Sequence, residues 1–322
     1  MAVHQSLEVE RSLVELEAKL LELKHSHTKG KVDLKTDIKK LEKKLQDLKR
    51  KIYSGLDPWE ITQIARHPNR PYTLDYVQLI CEDFIELHGD RKYGDDPAIV
   101  GGLASIGGRS IMLIGHQKGR ATKEKIFRNF GMPNPEGYRK ALRLMYMAER
   151  LKKPIVTFID TPGAFPGIGA EERGQSEAIA ENLTVMSRLK VPIISIIIGE
   201  GGSGGALAIG VADKIMMMEY SIYSVISPEG CAAILWKDGT KAEIAAKELK
   251  IGAKELLKLG IIEKVIKEPL GAAHCSLEKA ARSVKEAILV SLDELMPISI
   301  EMILEARYKK YREIGIFYNP SI

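Results

Sequence analysis

Twice in succession this chain runs a nearly continuous apolar strand into glycine and follows it at once with a helical pattern. The first copy reads "PIVTFID", then "TPGAFPGIGA", then "EERGQSEAIAENLTVMSRLK". The second reads "VPIISIIIG", then "EGGSG", then "GALAIGVA". Strands that are apolar on both sides of the pleat belong in a sheet covered by helices on both faces. The fold class is therefore α/β, built from repeated strand and helix units.

The flanking sequence extends this pattern. "AIVGGLASIGGRSIMLIGHQ" reads as two β-strands joined at Gly107 and Gly108, a two-residue hairpin signal. "PEGYRKALRLMYMAERLKK" is a helix with Ala141, Leu144, Met145 and Ala148 on one face. "KIMMMEYSIYSVISP" supplies two further short strands, and helical patterns dominate from Glu229 onward. Upstream, "HPNRP" marks a turn before an amphipathic helix expected around Tyr72 to Leu87.

The N-terminal segment is built differently. Val9, Leu13, Leu16, Leu20 and Leu23 recur at spacings of four and three, and Leu34, Ile38, Leu41, Leu45, Leu48 and Ile52 repeat the stripe. "HSHTKGKVD" interrupts the period, with Asp33 placed to cap the second helix. Residues 1–55 are thus expected to form an antiparallel helical hairpin, whose seam zips internally or docks on a partner, and residues 56–322 the main domain.

Composition excludes several classes. Hydrophobic content of 45% beside 28% charged residues fits a globular chain rather than a disordered one. No apolar run approaches the roughly 20 residues of a membrane span, and no signal-peptide stretch opens the chain, so a soluble cytoplasmic protein is expected. The net charge of +5 is mild, and runs such as "KKLEKKLQDLKRK" read as a solvated helix face, so nucleic acid is not indicated. Cys81, Cys231 and Cys275 are far apart with no Cys/His cluster at zinc spacing, and His25 and His27, expected to face solvent in the hairpin turn, are alone a weak metal signal, so no metal is expected on this chain. Cys231 is expected to be a buried packing residue.

Glycine at the strand ends lets peptide N–H groups face a cleft, a setting for a bound anion or an oxyanion that develops during reaction. A nucleotide phosphate site is a first reading, but neither loop has the lysine of a P-loop, and the glycine spacing, with no acidic residue at the end of a following strand, fits a dinucleotide fingerprint poorly. A serine hydrolase would use Ser203 as nucleophile, but His116 is the only histidine within the strand-and-loop core, and no acid is placed to orient it. An oxyanion hole without a nucleophile is the third reading. Tight packing of helix on strand is a purely structural fourth.

The motifs "IDTPGAFPGIGAEERGQSEAIA", "GEGGSGGALAIGVAD" and "YSVISPEGCAAILW", with "ELHGDR", "GHQKGR" and "RNFGMPNPEGYRKALRLM", closely resemble the α subunits of bacterial acetyl-CoA carboxylase carboxyltransferases. The resemblance spans nearly the whole chain, including the hairpin. It implies a crotonase-like spiral of ββα units, shared with Clp-type proteases and enoyl-CoA hydratases. Ser203 lies where the Clp protease serine would fall, but Ser227 or its neighbours hold the place of that protease's histidine.

The resemblance also implies a reaction: carboxybiotin, borne on a biotin carboxyl carrier protein and charged by biotin carboxylase, gives its carboxyl group to acetyl-CoA, and malonyl-CoA results. A separate zinc-bearing β subunit would supply most of the acyl-CoA site, in an α2β2 assembly. By the family motif, the N–H groups of Gly204 and Gly205 are the expected oxyanion donors, with Ala206 the alternative one residue further on. Gly163 and Ala164 would shape the opposite wall, with Gly201 and Gly202 beside the substrate. Lys118 and Arg120, with Lys123 and Lys125, are candidates for an anionic ligand or carrier contact. Glu171, Glu172 and Arg173 are expected to be helix-dipole partners. A side chain added at Gly205 is expected to block the site and leave the fold intact. The rival readings are a crotonase-type acyl-CoA hydratase or decarboxylase acting without biotin, and a noncatalytic assembly protein.

Overall fold

The computed structural model describes residues 7–28 and 34–315. Helices α1 (Arg11–Thr28) and α2 (Lys35–Ser54) carry the two apolar stripes. They run antiparallel, as the ion pairs Lys24 with Glu42 and Lys49 with Glu17 require. Leu13, Leu20 and Leu45 close the seam, and the same cluster takes in Tyr53, Ile64 and Ala272, so the stripe both zips the hairpin and seats it on the body. Asp33, the expected cap, lies outside the described residues.

Helix α3 (Pro58–Ala65) starts at a capping box in which Asp57 and Glu60 bond each other's backbone N–H. Helix α4 (Thr73–Ile80) ends sooner than the helical pattern suggests. Cys81 turns extended, and the expected last turn is instead strand β1 (Asp83–Glu86). Strand β1 pairs antiparallel with β2 (Ile99–Ile106), which pairs antiparallel with β3 (Arg109–His116) through the Gly107-Gly108 turn. Helix α5 (Thr122–Phe127) and helix α6 (Pro135–Arg150) follow.

Strand β4 (Ile155–Thr161) leads through the first glycine loop to α7 (Ile168–Glu172) and α8 (Gln175–Met186). The sequence suggested one helix here. Gly174, at φ 80°, breaks it in two. Strand β5 (Ile193–Gly202) leads directly into α9 (Ser203–Leu207). After β6 (Lys214–Met218) and β7 (Ile222–Ser224) come α10 (Pro228–Trp236), α11 (Ala242–Leu249), α12 (Ala253–Lys258), the unanticipated strand β8 (Lys264–Ile266), α13 (Leu277–Leu295) and α14 (Ile300–Glu313).

The sheet order is β1-β2-β3-β4-β5-β6-β8, parallel from β3 onward. Helices α4 and α13 cover one face with Tyr76, Ile80, Val284, Ile288 and Leu292. Helices α6 and α8 cover the other with Leu144, Met145, Ala148 and Met186. Strand β5 forks the sheet. Its first half, Ile194 to Ile197, pairs with β6, while Glu200, Gly201 and Gly202 pair with β7. The second glycine loop leaves from this fork.

Candidate active site

The two loops meet backbone to backbone. A Cβ on Gly202 would overlap the Pro162 carbonyl oxygen, and one on Gly205 would overlap the Ala164 amide nitrogen and come within 2.5 Å of the Gly163 carbonyl carbon. Only glycine at these two positions lets the loops close together. Gly204 differs, since a Cβ there meets only Ile179, at 3.8 Å. Ser203, between them, holds φ 55°, the left-handed region that a serine enters at a cost of roughly 1–3 kcal/mol.

The bases of the loops are tied by buried charge. Strands β4 and β5 slip register between Ile159 and Thr161, and Asp160 occupies the irregularity. Its Oδ1 accepts the Glu200 N–H at 3.0 Å and Lys118 Nζ at 2.7 Å. Glu200 accepts Arg66 Nε at 2.7 Å, and Arg66 Nη1 reaches Glu229 at 2.6 Å. Burial opposes the Lys118 charge, but Asp160 and Glu200 outweigh it and raise the lysine pKa. Removing one partner from such a network typically costs about 3–5 kcal/mol.

Between the loops lies a cleft of about 410 Å³, lined by Gly163, Ala164, Phe165, Ile179, Ser203, Gly204, Gly205, Val225, Ile226 and Ser227 among others. Glu171 is the one ionisable residue in the lining. Among the described residues, no hydrogen bond uses the N–H of Ala164, Ser203, Gly204 or Gly205. The Gly163 N–H is occupied, donating to Thr161 Oγ1 at 3.1 Å. Among the described residues no hydrogen bond involves the Ser203 hydroxyl and no histidine lines the cleft, so no imidazole there activates it as a nucleophile.

The predicted residues separate into two groups. Gly163, Ala164, Gly204 and Gly205 come together in the lining. Gly201, Gly202 and Ala206 lie buried behind it, Gly201 against Tyr223. Lys118 is held in the Asp160 network outside the cleft. Arg120 is exposed, bonded to Asp75 at 2.7 Å and stacked over the Tyr72 ring. Arg173 braces Glu136 on α6 and covers the Tyr93 ring. Cys231 is only partly buried, contrary to expectation, because α10 lies near the surface with Ile234 and Leu235 exposed. The sequence reading missed Phe165, Ile179, Val225 and Ile226, whose apolar character marks them for a core and whose side of the helix or loop only the fold decides.

Glu10, His67 and His274 form the one histidine–carboxylate group close enough to hold a metal among the described residues. The two rings stack at 4.0 Å with 19° between planes, so their lone pairs run side by side rather than converge. His67 Nδ1 accepts the Asn69 N–H, and Glu10 Oε1 accepts the Tyr53 hydroxyl and lies 2.9 Å from His274 Nε2. This is the geometry of a hydrogen-bonded clasp at the root of the hairpin, not of a tetrahedral metal centre.

The acetyl co-enzyme A carboxylase carboxyltransferase-like family matches residues 6–315. The chain belongs to this family. It is 58% identical over 317 residues to the acetyl-coenzyme A carboxylase carboxyl transferase subunit alpha of Geobacter metallireducens, covering 98% of this chain and 99% of that one. Membership makes it a carboxyl-transferring enzyme and speaks for that reading over the biotin-independent hydratase. Solved structures give the fold. A transcarboxylase 12S chain matches with a TM-score of 0.58 at 18% identity, over 71% of this chain and 42% of that one. A chain of a Pseudomonas malonate decarboxylase hetero-tetramer, solved with coenzyme A, matches with a TM-score of 0.57 at 17% identity, over 73% of this chain and 91% of that one. The crotonase-like expectation for the fold holds. No described helix is long and apolar enough to cross a membrane.

Proposed function

We propose that this chain is the half of a two-chain carboxyltransferase that receives carboxybiotin, and that with a zinc-bearing β subunit it converts acetyl-CoA to malonyl-CoA. The observation that carries the reading is the unpartnered N–H groups of Ala164, Ser203, Gly204 and Gly205 on two loops pressed together beside an apolar cleft. Biotin, brought by a carrier protein, supplies the carboxyl group, and negative charge gathers on its ureido oxygen as that group leaves. Gly204 and Gly205, with Ala206 the alternative, offer this charge fixed backbone donors in place of water. Phe165, Ile179, Val225 and Ile226 form a dry wall suited to a small bicyclic ring. With no histidine, lysine or cysteine in its lining, the cleft is suited to stabilising charge on a bound group rather than to attack by an activated serine.

The mouth of the cleft supports a partner. Val225 in its lining and Ile168, next to Gly167 of the first loop, are 78% and 79% exposed, unusual for such side chains unless another surface covers them. An α2β2 assembly in the cytoplasm, served by biotin carboxylase, completes the proposal. Residues 1–55 would act as a docked appendage and residues 56–322 as the carboxyltransferase domain.

The test compares Gly204→Ala with Ser203→Ala in the complex with the β subunit. Gly204→Ala adds a methyl beside the donors without crowding the fold, and kcat for carboxyl transfer should fall by about a hundredfold, the scale of one lost oxyanion donor. Ser203→Ala should stay within about threefold of the parent, since no base activates the hydroxyl. Inactive Ser203→Ala beside active Gly204→Ala would return a covalent nucleophile to the centre of the mechanism.

A further inference from the structure

Where the first glycine loop passes the start of α6, one buried side chain ties the two together. Gln175, the first residue of α8, follows the left-handed Gly174 and is 4% exposed. It is also part of the cleft lining. Its Nε2 donates to the Pro133 carbonyl at 2.9 Å and to the Phe165 carbonyl at 3.0 Å. The Phe165 N–H donates to the same Pro133 carbonyl at 3.0 Å. Phe165 is therefore gripped at both ends of its backbone.

These bonds fix the orientation of the amide. A carbonyl can only accept, so the nitrogen end faces both carbonyls and its two hydrogens are spent on them. The other end, Oε1, is buried with no hydrogen-bond partner among the described residues. An unpaired buried acceptor is costly, so what glutamine contributes here is its donor end. On the other side of Ala164, the Gly163 carbonyl accepts the Thr161 hydroxyl at 2.8 Å. Ala164 thus lies between two fixed points, its own N–H makes no hydrogen bond among the described residues, and its nitrogen is 2.4 Å from where a Gly205 Cβ would sit.

We infer that Gln175 is a positioning residue for carboxyl transfer: by spending both amide hydrogens on Pro133 and Phe165, it holds the stretch of the first loop that carries the Ala164 N–H and the Phe165 ring against the second loop. It acts through the loop and exchanges no proton. The inference rests on the oxyanion reading above, to which it adds the part that keeps the first loop in place.

The experiment uses the full chain assembled with its β subunit, with assembly checked by sedimentation, and measures kcat and KM for malonyl-CoA in the biotin-dependent reverse reaction. Gln175→Met keeps the length and removes the donor. Gln175→Glu keeps the shape and sets a carboxylate against two carbonyls, but its protonated form regains one donor. For Gln175→Met, kcat should fall by about tenfold to a hundredfold with KM within about twofold, the mark of a misplaced reacting group rather than of weaker acyl-CoA binding. Gln175→Glu should be as impaired at about pH 8, and its kcat relative to the parent should rise about threefold or more by about pH 6, because a carboxyl buried beside acceptors keeps its proton above the usual range. Gln175→Met should show no such rise. A merely structural role would lower the melting temperature and leave kcat of the assembled complex unchanged. Parent-like kcat in assembled Gln175→Met would therefore overturn the inference, as would a Gln175→Glu that follows Gln175→Met at every pH. If Gly204→Ala is impaired while Gln175→Met is not, only this inference fails. If both are unimpaired, the oxyanion reading fails with it.

Discussion

A Cβ built on Gly205 would meet the first loop's backbone and the Tyr138 hydroxyl, whereas one built on Gly204, the next residue back, finds open cleft and the edge of Ile179. Two adjacent glycines therefore differ, one in contact between loops and one open to the cleft. Gly205→Ala should lower stability by about 1–3 kcal/mol, the usual cost of overpacking, as well as lowering activity. Denaturant melts of Gly204→Ala and Gly205→Ala would check this, and equal stability would show that the loops are not in contact. The sequence made bare backbone at these positions legible. It could not separate the two glycines, because the partner of Gly205 lies some forty residues away on another loop, and so the expectation that a side chain at Gly205 would spare the fold does not hold. Lys118 is a similar case. Its local surroundings suggest a surface loop, and its actual partner, Asp160, is brought to it by the parallel pairing of β3 with β4.

At the scale of elements, the hairpin stripes and the apolar strands were legible because their periods are long and regular. Strand β1 was not. It is a four-residue edge strand with alternate residues exposed, set directly after a helix, and only its pairing with β2 distinguishes it from a last helical turn. The clasp of Glu10, His67 and His274 was equally hidden, since its members come from three distant segments. Its chemistry gives a pH prediction. Burial raises the Glu10 pKa, but His274, Tyr53 and His67 outweigh it and hold the carboxyl below its usual value. Burial would lower the His274 pKa, but the Cys275 and Glu10 side chains hold it up at about 9. A raised histidine contributes stability that is complete below its ordinary value of 6.5 and is lost as pH rises through about 9. The depressed Glu10 contributes above 4.5, and that share fades as pH falls. Hydrogen exchange in α1 should therefore quicken between about pH 7 and 9.5 beyond the intrinsic rate, and Glu10→Gln should reduce the extra dependence. Identical profiles in parent and variant would show that the clasp does not hold the hairpin.

For the whole molecule, the sheet forks at the end of β5 and sets the candidate cleft at the surface, with Val225 and Ile168 exposed at its edge. The chain's own residues give the cleft unpartnered backbone N–H groups and apolar side chains, with Glu171 the one ionisable residue in the lining. Activity should therefore belong to an assembly and not to this chain alone. The most direct measurement is biotin-dependent decarboxylation of malonyl-CoA by the purified chain, titrated with a zinc-bearing β subunit. The account predicts no turnover by the chain alone and a rate that rises with added partner to a saturating ratio of one to one. Robust turnover without the partner, or acyl-CoA hydration that needs no biotin, would contradict it.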